Sequence, residues 1–277
     1  VTFSPGGSPA DPNRLDADSQ VLESELLDLA VTVARDAGAL LLERFASGRE
    51  RALESKSTPT DLVSEADLAS ERLIRDALAN ARPDDGFLGE EGGGEDGTSG
   101  LTWVVDPLDG TVNFLFAIPQ WCVSVAVRDA QGVLAGAIFD PCRDELFTAT
   151  RHGESLLNGT PLVPSSCSDL ATAMVATGFA YDASVRAAQA EVLARLLPRV
   201  RDIRRFGSAA LDLAWTAAAR YDAYFERTVK PWDIAAGVLV CERAGLSVVE
   251  LAEREALPFG VMAAVPALSG ELLKLVN

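Results

Sequence analysis

WVVDPLDGTVNF, Trp103 to Phe114, joins an apolar run to a break that carries two acids. The run Trp103–Val105 predicts a buried strand, and Pro107 and Gly110 interrupt it before a short helix expected after Thr111. Asp106 and Asp109, set into the break, can both turn toward one point, and oxygen ligands gathered there suit a hard divalent cation such as Mg²⁺. Pro107 has no N–H and a fixed φ, so the turn can present the Leu108 carbonyl as a further ligand. Gly110 and Thr111 fall where the next helix begins, and free N–H groups at a helix start bind phosphate. A plain Asp-rich turn accounts for the same residues, since Asp-Pro and Asp-Gly are ordinary turn signals. The rest of the chain has to decide.

Upstream, Val1 to about Gln20 is rich in Pro, Gly, Ser, Asp and Asn without apolar periodicity, which predicts a disordered leader over residues 1–20. Leu22, Leu26, Leu29, Val33, Ala37, Leu40 and Leu41 then recur at helical spacing and predict a long amphipathic helix over Val21–Phe45, ended by Gly48. A second helix is expected from Ser64 to Arg82, with Leu68, Ile74, Ala77 and Leu78 facing inward. Ser64 and Asp67 match a capping box, a structural role for Asp67 that competes with a place at the mouth of the site. Glu90 and Glu91 open a glycine-rich run, GEEGGGEDG, which reads as a loop able to fold over a ligand.

Downstream, Cys122–Arg128, Val133–Phe139 and Glu145–Thr150 read as an antiparallel meander. After about Cys167 strands and helices alternate. The halves 21–155 and 156–277 are expected to form one catalytic unit of sheets layered between helices. In KPWDIAAG, Pro231 stands at a helix start and Asp233 in its first turn, where an acid also complements the helix dipole.

The composition narrows the function. Among 277 residues, 24 are basic and 41 acidic, and the net charge of −17 disfavours direct nucleic-acid contact. An enzyme that handles phosphate on so acidic a chain has to neutralise it with something else, and bound metal is the obvious candidate. A single histidine, His152, argues against imidazole-based triads and zinc sites. The cysteines Cys122, Cys142, Cys167 and Cys241 lack metal-ligand spacing and read as small hydrophobes. No apolar run approaches a membrane span and no signal segment is evident, which predicts a cytoplasmic protein.

Together these stretches resemble the inositol monophosphatase family of Mg²⁺-dependent, lithium-sensitive phosphomonoesterases. GEE at Gly89–Glu91, DPLDGTVNF at Asp106–Phe114 and WDIAAG at Trp232–Gly237 match that family's motifs in order and at the expected separations. The resemblance implies a layered αβαβα sugar-phosphatase sandwich, of mixed α+β and α/β character, that forms a homodimer. It implies that Glu90, Asp106 and the Leu108 carbonyl hold one Mg²⁺, that Asp106, Asp109 and Asp233 hold a second, and that Glu90 approaches a third, loosely held ion through water. Asp67 and Thr111 would orient and deprotonate the attacking water, with Glu90 as the further catalytic residue. The Gly110 and Thr111 amides would take phosphate oxygens, and Lys56 would sit on a mobile loop near the metals.

For substrate, the resemblance implies that Asp109, Glu226 and the Gly207, Ser208 and Ala209 segment contact inositol hydroxyls. Glu226 also reads simply as an exposed acid at a strand end. The leading expectation is hydrolysis of myo-inositol 1-phosphate by a metal-activated water without a covalent intermediate. Histidinol phosphate, fructose 1,6-bisphosphate and nucleotide phosphates are the alternatives on the same scaffold. A transcription-associated binding role is the alternative of another class.

Overall fold

A computed structural model of the protein describes residues 17–48, 52–55 and 62–277. Lys56, expected on a mobile loop, lies outside the described residues, as do residues 1–16 of the expected leader. The remaining leader residues, 17–20, are helical, because α1 runs Ala17–Ser47 and begins four residues ahead of its apolar stripe. A helix can extend past its buried face wherever propensity and solvent allow it. Gly48, at φ +61°, ends this helix.

Strands β1 (Ala52–Ser55) and β2 (Leu62–Ser64) form a small antiparallel pair. Helix α2 (Glu65–Ala81) follows. The main sheet has eight strands in the order β10 (Thr160–Pro161), β9 (Ser155–Leu157), β8 (Glu145–Thr150), β7 (Gly132–Asp140), β6 (Cys122–Asp129), β5 (Thr102–Asp109), β3 (Gly86–Gly89) and β4 (Gly93–Glu95). The second sheet orders β12 (Asp202–Arg204), β11 (Met174–Thr177), β13 (Ala223–Arg227), β15 (Gly260–Ala264) and β14 (Ser247–Leu251). Helices α3 (Thr111–Leu115), α4 (Ala183–Leu196), α5 (Ala209–Ala217), α6 (Pro231–Ala244) and α7 (Pro266–Val276) complete the chain.

The layers follow from which faces are apolar. α1 and α2 cover one face of the large sheet, where Leu26, Val33 and Leu41 are buried against Trp103, Val105, Val123 and Val125. Each such aliphatic burial contributes about 1.5–3 kcal/mol. The opposite face, with Val104, Ala126 and Ile138, meets α5 and α6 in a second core that continues through the small sheet to α4 and α7. The αβαβα sandwich is therefore present. α5 lies between two sheets, and every residue of it is buried.

Two segments depart from their sequence patterns. Leu68, expected inward on α2, is 37% exposed. The inward face instead carries Asp67, Ser70 and Glu71 beside Ile74 and Leu78, so polar side chains occupy positions that apolar periodicity would assign to the core. The glycine-rich stretch after Glu91 is not wholly loop, because Gly93–Glu95 pairs antiparallel with β3 as the edge strand β4. Backbone pairing needs no side chains, and glycines hide it from pattern reading.

Candidate active site

The pairing of β5 with β6 explains how Asp106 and Asp109 come to face one point. Residues three apart on an unbroken strand project to opposite faces. Here Asp106 stands opposite Ser124 and Asp109 opposite Cys122, so two residues, Pro107 and Leu108, stand against the single Val123. That extra residue is a β-bulge. It turns both acids toward the α5 and α6 side while Leu108 packs its side chain into the α1 core. The strand thus continues to Asp109, beyond the break expected after Val105, and Pro107 occupies a position where a ladder N–H is not needed.

The site gathers at the carboxyl ends of parallel strands, where open α/β sheets commonly bind ligands. β3 and β5 are parallel with Gly89 opposite Val105, so Glu90 and Asp106 emerge side by side. β11, β12 and β13 are parallel neighbours in the second sheet. The segments that follow them supply Phe179–Asp182, Arg205 and Thr228–Lys230. Together these ends enclose a cavity of about 550 Å³. Of the residues expected in the site, Glu90, Asp106, Leu108, Asp109, Gly110, Thr111, Gly207, Ala209, Glu226 and Asp233 line it.

Two expected residues stand just behind the wall. Asp67 is fully buried, and its Oδ1 accepts the Thr111 hydroxyl at 2.8 Å. Its Oδ2 accepts the Ser64 N–H at 2.9 Å and the Ser64 hydroxyl at 2.5 Å. The capping box and the pairing with Thr111 are therefore both real, one on each oxygen. Ser208 is buried and donates its hydroxyl to Asp109 Oδ2 at 2.6 Å.

Asp109 has a second role that motif reading missed. Its Oδ1 accepts the Ala209 N–H at 3.2 Å and its Oδ2 the Ala210 N–H at 2.7 Å, so an acid of the large sheet caps α5 from across the cavity. Ser208, at the helix's own N-cap position, makes no side-chain cap. Asn113 adds a second tie between the halves. Its Nδ2 donates to the Phe206 carbonyl at 2.7 Å and the Gln120 carbonyl at 2.8 Å. Phe114 locks the start of α3 against α1 in an aromatic trio with Phe45 and Trp121, with ring centroids 5.1–5.4 Å apart.

Gly110 is the N-cap of α3 at φ +100°, and a Cβ there would stand 2.9 Å from the Gln120 carbonyl oxygen. Gly110→Ala is expected to lower stability by about 2 kcal/mol or more, since αL strain and the close contact add. Urea unfolding measures this, and an unchanged midpoint would contradict it.

The electrostatics are those of crowded acids. Burial first, and then the charges of Glu90, Asp109 and Asp233, hold Asp106 well above the usual carboxylate range. Asp233 is raised by desolvation and by Glu90, although its carboxylate also accepts the Lys230 N–H at 2.7 Å in a capping arrangement. Burial raises Asp109 too, against the opposing Ser208 hydroxyl and the Ala210 and Ala209 amides. Glu226 lies against Gly178, accepts the Tyr224 hydroxyl at 3.0 Å, and is raised to about 7 by burial despite the opposing Arg205 charge. It is half-buried in the cavity wall, not an exposed strand-end acid.

This donor set is all hard oxygen. Asp106 Oδ1 accepts the Leu108 N–H at 3.0 Å, and its other oxygen accepts no hydrogen bond among the described residues. Among the described residues no three acid, histidine or cysteine side chains close into a ready-made metal cage. The fit rests on donor type: carboxylate and carbonyl oxygens around one cavity suit Mg²⁺, which combines one or two carboxylates with waters and substrate phosphate. The residues present fit such an ion.

Sequence reading missed Arg205, Lys230 and the Phe179–Asp182 wall. The four cysteines are free, with Cys122 and Cys241 buried and Cys142 and Cys167 half-buried. No helix among the described residues is long and apolar enough to cross a membrane.

A family model described as the inositol monophosphatase family matches residues 22–276. A Mycobacterium leprae protein named inositol-1-monophosphatase is 45% identical over 235 residues, covering 80% of each chain. An Escherichia coli K12 protein named Nus factor SuhB is 40% identical over 222 residues, covering 79% of this chain and 83% of that one. The solved extragenic suppressor protein suhB from Bartonella henselae superposes with a TM-score of 0.84 at 33% identity, over 91% of this chain and 98% of that one.

Proposed function

Because the chain belongs to the inositol monophosphatase family and is a phosphoric monoester hydrolase, we propose that it hydrolyses myo-inositol 1-phosphate with Mg²⁺ bound at Glu90, Asp106, Leu108, Asp109 and Asp233. The observation that supports this reading is the convergence of four acids from three distant segments on one cavity, beside the Asp67–Thr111 pair. The name of the M. leprae relative supports an inositol phosphate as substrate.

Bound at this donor set, Mg²⁺ supplies an acidified water and charge neutralisation at the phosphoryl and leaving oxygens. The chain's own residues handle the proton and the orientation. Thr111's single hydroxyl proton is directed to Asp67 Oδ1 at 2.8 Å, with the Leu108 carbonyl the longer alternative at 3.1 Å, so its oxygen can accept a water's proton while its own passes to Asp67. The amides of Gly110 and Thr111, at the start of α3, take phosphate oxygens. Glu226, held by Tyr224, accepts from substrate hydroxyls, and a site built on such an acceptor rejects analogues that lack the hydroxyl. Phosphate release assayed with and without Mg²⁺ tests the reading. A protein inert toward inositol, sugar, histidinol and nucleotide phosphates at millimolar Mg²⁺ would end it.

Glu226 accepts from a polyol's hydroxyls more strongly, and without giving up an oxygen to its own proton, when ionised, and burial pushes its carboxyl up to about 7. The KM for inositol phosphate is therefore expected to fall as pH rises through about 7. In Glu226→Gln that step should vanish, while turnover of an aryl phosphate barely changes. The sign for folding is opposite: a carboxyl raised above its unfolded value of about 4.3 contributes stability below that pH and loses it as pH rises through 7. The metal-free protein should soften over that interval, and Glu226→Gln should soften less. Parallel KM profiles for the two proteins would remove Glu226 from the site.

The E. coli relative's name, Nus factor, supports a second reading in which the chain also acts by binding a protein partner. A pulldown that recovers no transcription component would dispose of it.

A further inference from the structure

We propose that Glu71 is a positioning residue for the metal site, fixing the backbone at Glu91 and so the direction in which Glu90 enters the cavity; this role rests on the reading of Glu90 as a metal ligand. Glu71 is 5% exposed on the inward face of α2, and its Oε2 accepts the Glu91 N–H at 2.8 Å. Arg75, one turn along, holds the other oxygen at 3.2 Å, reaches Glu95 on β4 at 2.6 Å, and lies over the Phe87 ring of β3 at 4.5 Å. One carboxylate thus ties the turn between β3 and β4 to a rigid helix.

The glycines of this turn take their meaning from that carboxylate. A Cβ on Gly89 would stand 2.5 Å from Glu71 Oε2, and one on Gly92 would stand 2.5 Å from Glu71 Oε1 and closer still to Arg75 Nη2. The backbone packs so closely on the Glu71–Arg75 pair that a side chain at either position would have to push that pair aside. The neighbouring inward residues of α2 do related work. Asp67 meets Thr111, and Ser70 donates to the Pro107 carbonyl at 2.8 Å in the bulge. Asp67, Ser70 and Glu71, at spacing i, i+3 and i+4, share one helix face. α2 therefore indexes Thr111, the bulge and the Glu90 turn against one another, and Glu71 is the contact that sets the third.

Mn²⁺ titration followed by electron paramagnetic resonance, on the whole protein, tests this without relying on turnover. Glu71→Met keeps the length and removes the acceptor. It is expected to weaken Mn²⁺ binding on the order of 10-fold or more, as losses of outer-shell partners do. The Mg²⁺ concentration for half-maximal activity should rise in step, with KM at saturating Mg²⁺ unchanged. Hydrogen exchange at the Glu91 amide should speed up. Glu71→Gln, whose amide oxygen can still accept that N–H, should stay near wild type.

Wild-type Mn²⁺ affinity in Glu71→Met overturns the role, and so does an equal loss in Glu71→Gln. If Glu71→Met does not fold, Gly92→Ala, which presses on Arg75 and the same carboxylate from the loop side, should weaken Mn²⁺ binding, and unchanged binding there overturns the role as well. Wild-type protein that takes up no Mn²⁺ overturns the metal-site reading itself, which is a separate failure.

Discussion

Asp106→Asn is expected to slow phosphate release by about 10³–10⁴-fold, the equivalent of the several kcal/mol of charge stabilisation a well-held metal supplies. The same change should make the metal-free protein harder to melt. Asp106 is 2% exposed, and Glu90, Asp109 and Asp233 all push against its charge. Replacing a carboxyl so placed removes repulsion and desolvation together, and active-site acids commonly trade stability for function in this way. The introduced amide would keep an oxygen for the Leu108 N–H, so the bulge should survive. Differential scanning calorimetry with and without Mg²⁺, beside a phosphate-release assay, reads both effects. Wild-type melting should rise with Mg²⁺ and the variant's should not. A variant that stays active, or that melts lower without metal, would sink the account of Asp106.

Asp109→Ala should fail in two ways at once. It removes an expected metal ligand, and it leaves the Ser208 hydroxyl and the Ala209 and Ala210 amides without the acceptor they now share. A lost helix cap costs about 0.5–2 kcal/mol, and each buried donor left unsatisfied adds about 1–3. α5 packs between both sheets, so it has little freedom to adjust. Relief of a buried, repelled carboxylate offsets part of this, as at Asp106, and a net loss of about 3 kcal/mol in urea unfolding is expected, together with loss of activity. Asp109→Asn retains one acceptor oxygen and should recover part of the stability but little of the activity. Full stability in Asp109→Ala would mean that the cap matters less than its geometry indicates.

Most of the element order was legible because the strands and helices carry clean apolar periods. Trp103–Val105, the meander from Cys122 to Thr150 and the helix after Pro231 all lie where their patterns put them. The αβαβα layering and the family were legible through motifs in register. The errors fall where side chains serve the site or where there are none. Asp67, Ser70 and Glu71 displace the apolar stripe of α2, leaving Leu68 outside. Gly93 and Gly94 pair through backbone alone. The bulge at Pro107 and Leu108 could not be seen in one strand, because it exists only relative to Val123 on the next. Arg205 and Phe179–Asp182 follow strands that motif reading treated as scaffold, and they reach the cavity through strand order, which local sequence does not carry. The reach of Asp109 to α5 joins segments far apart in the chain, and no local pattern signals it.

Asp67 serves a helix start with one oxygen and Thr111 with the other. The two duties are therefore expected to be inherited as a unit. A change at Ser64 keeps the backbone N–H but removes the hydroxyl that steadies the carboxylate on which Thr111 leans, and a replacement at residue 67 that preserves the cap but not the acid should leave a well-folded protein of little activity. Substitutions at Ser64, far in sequence from the metal motifs, should therefore show epistasis with Thr111 stronger than either shows with the rest of α2.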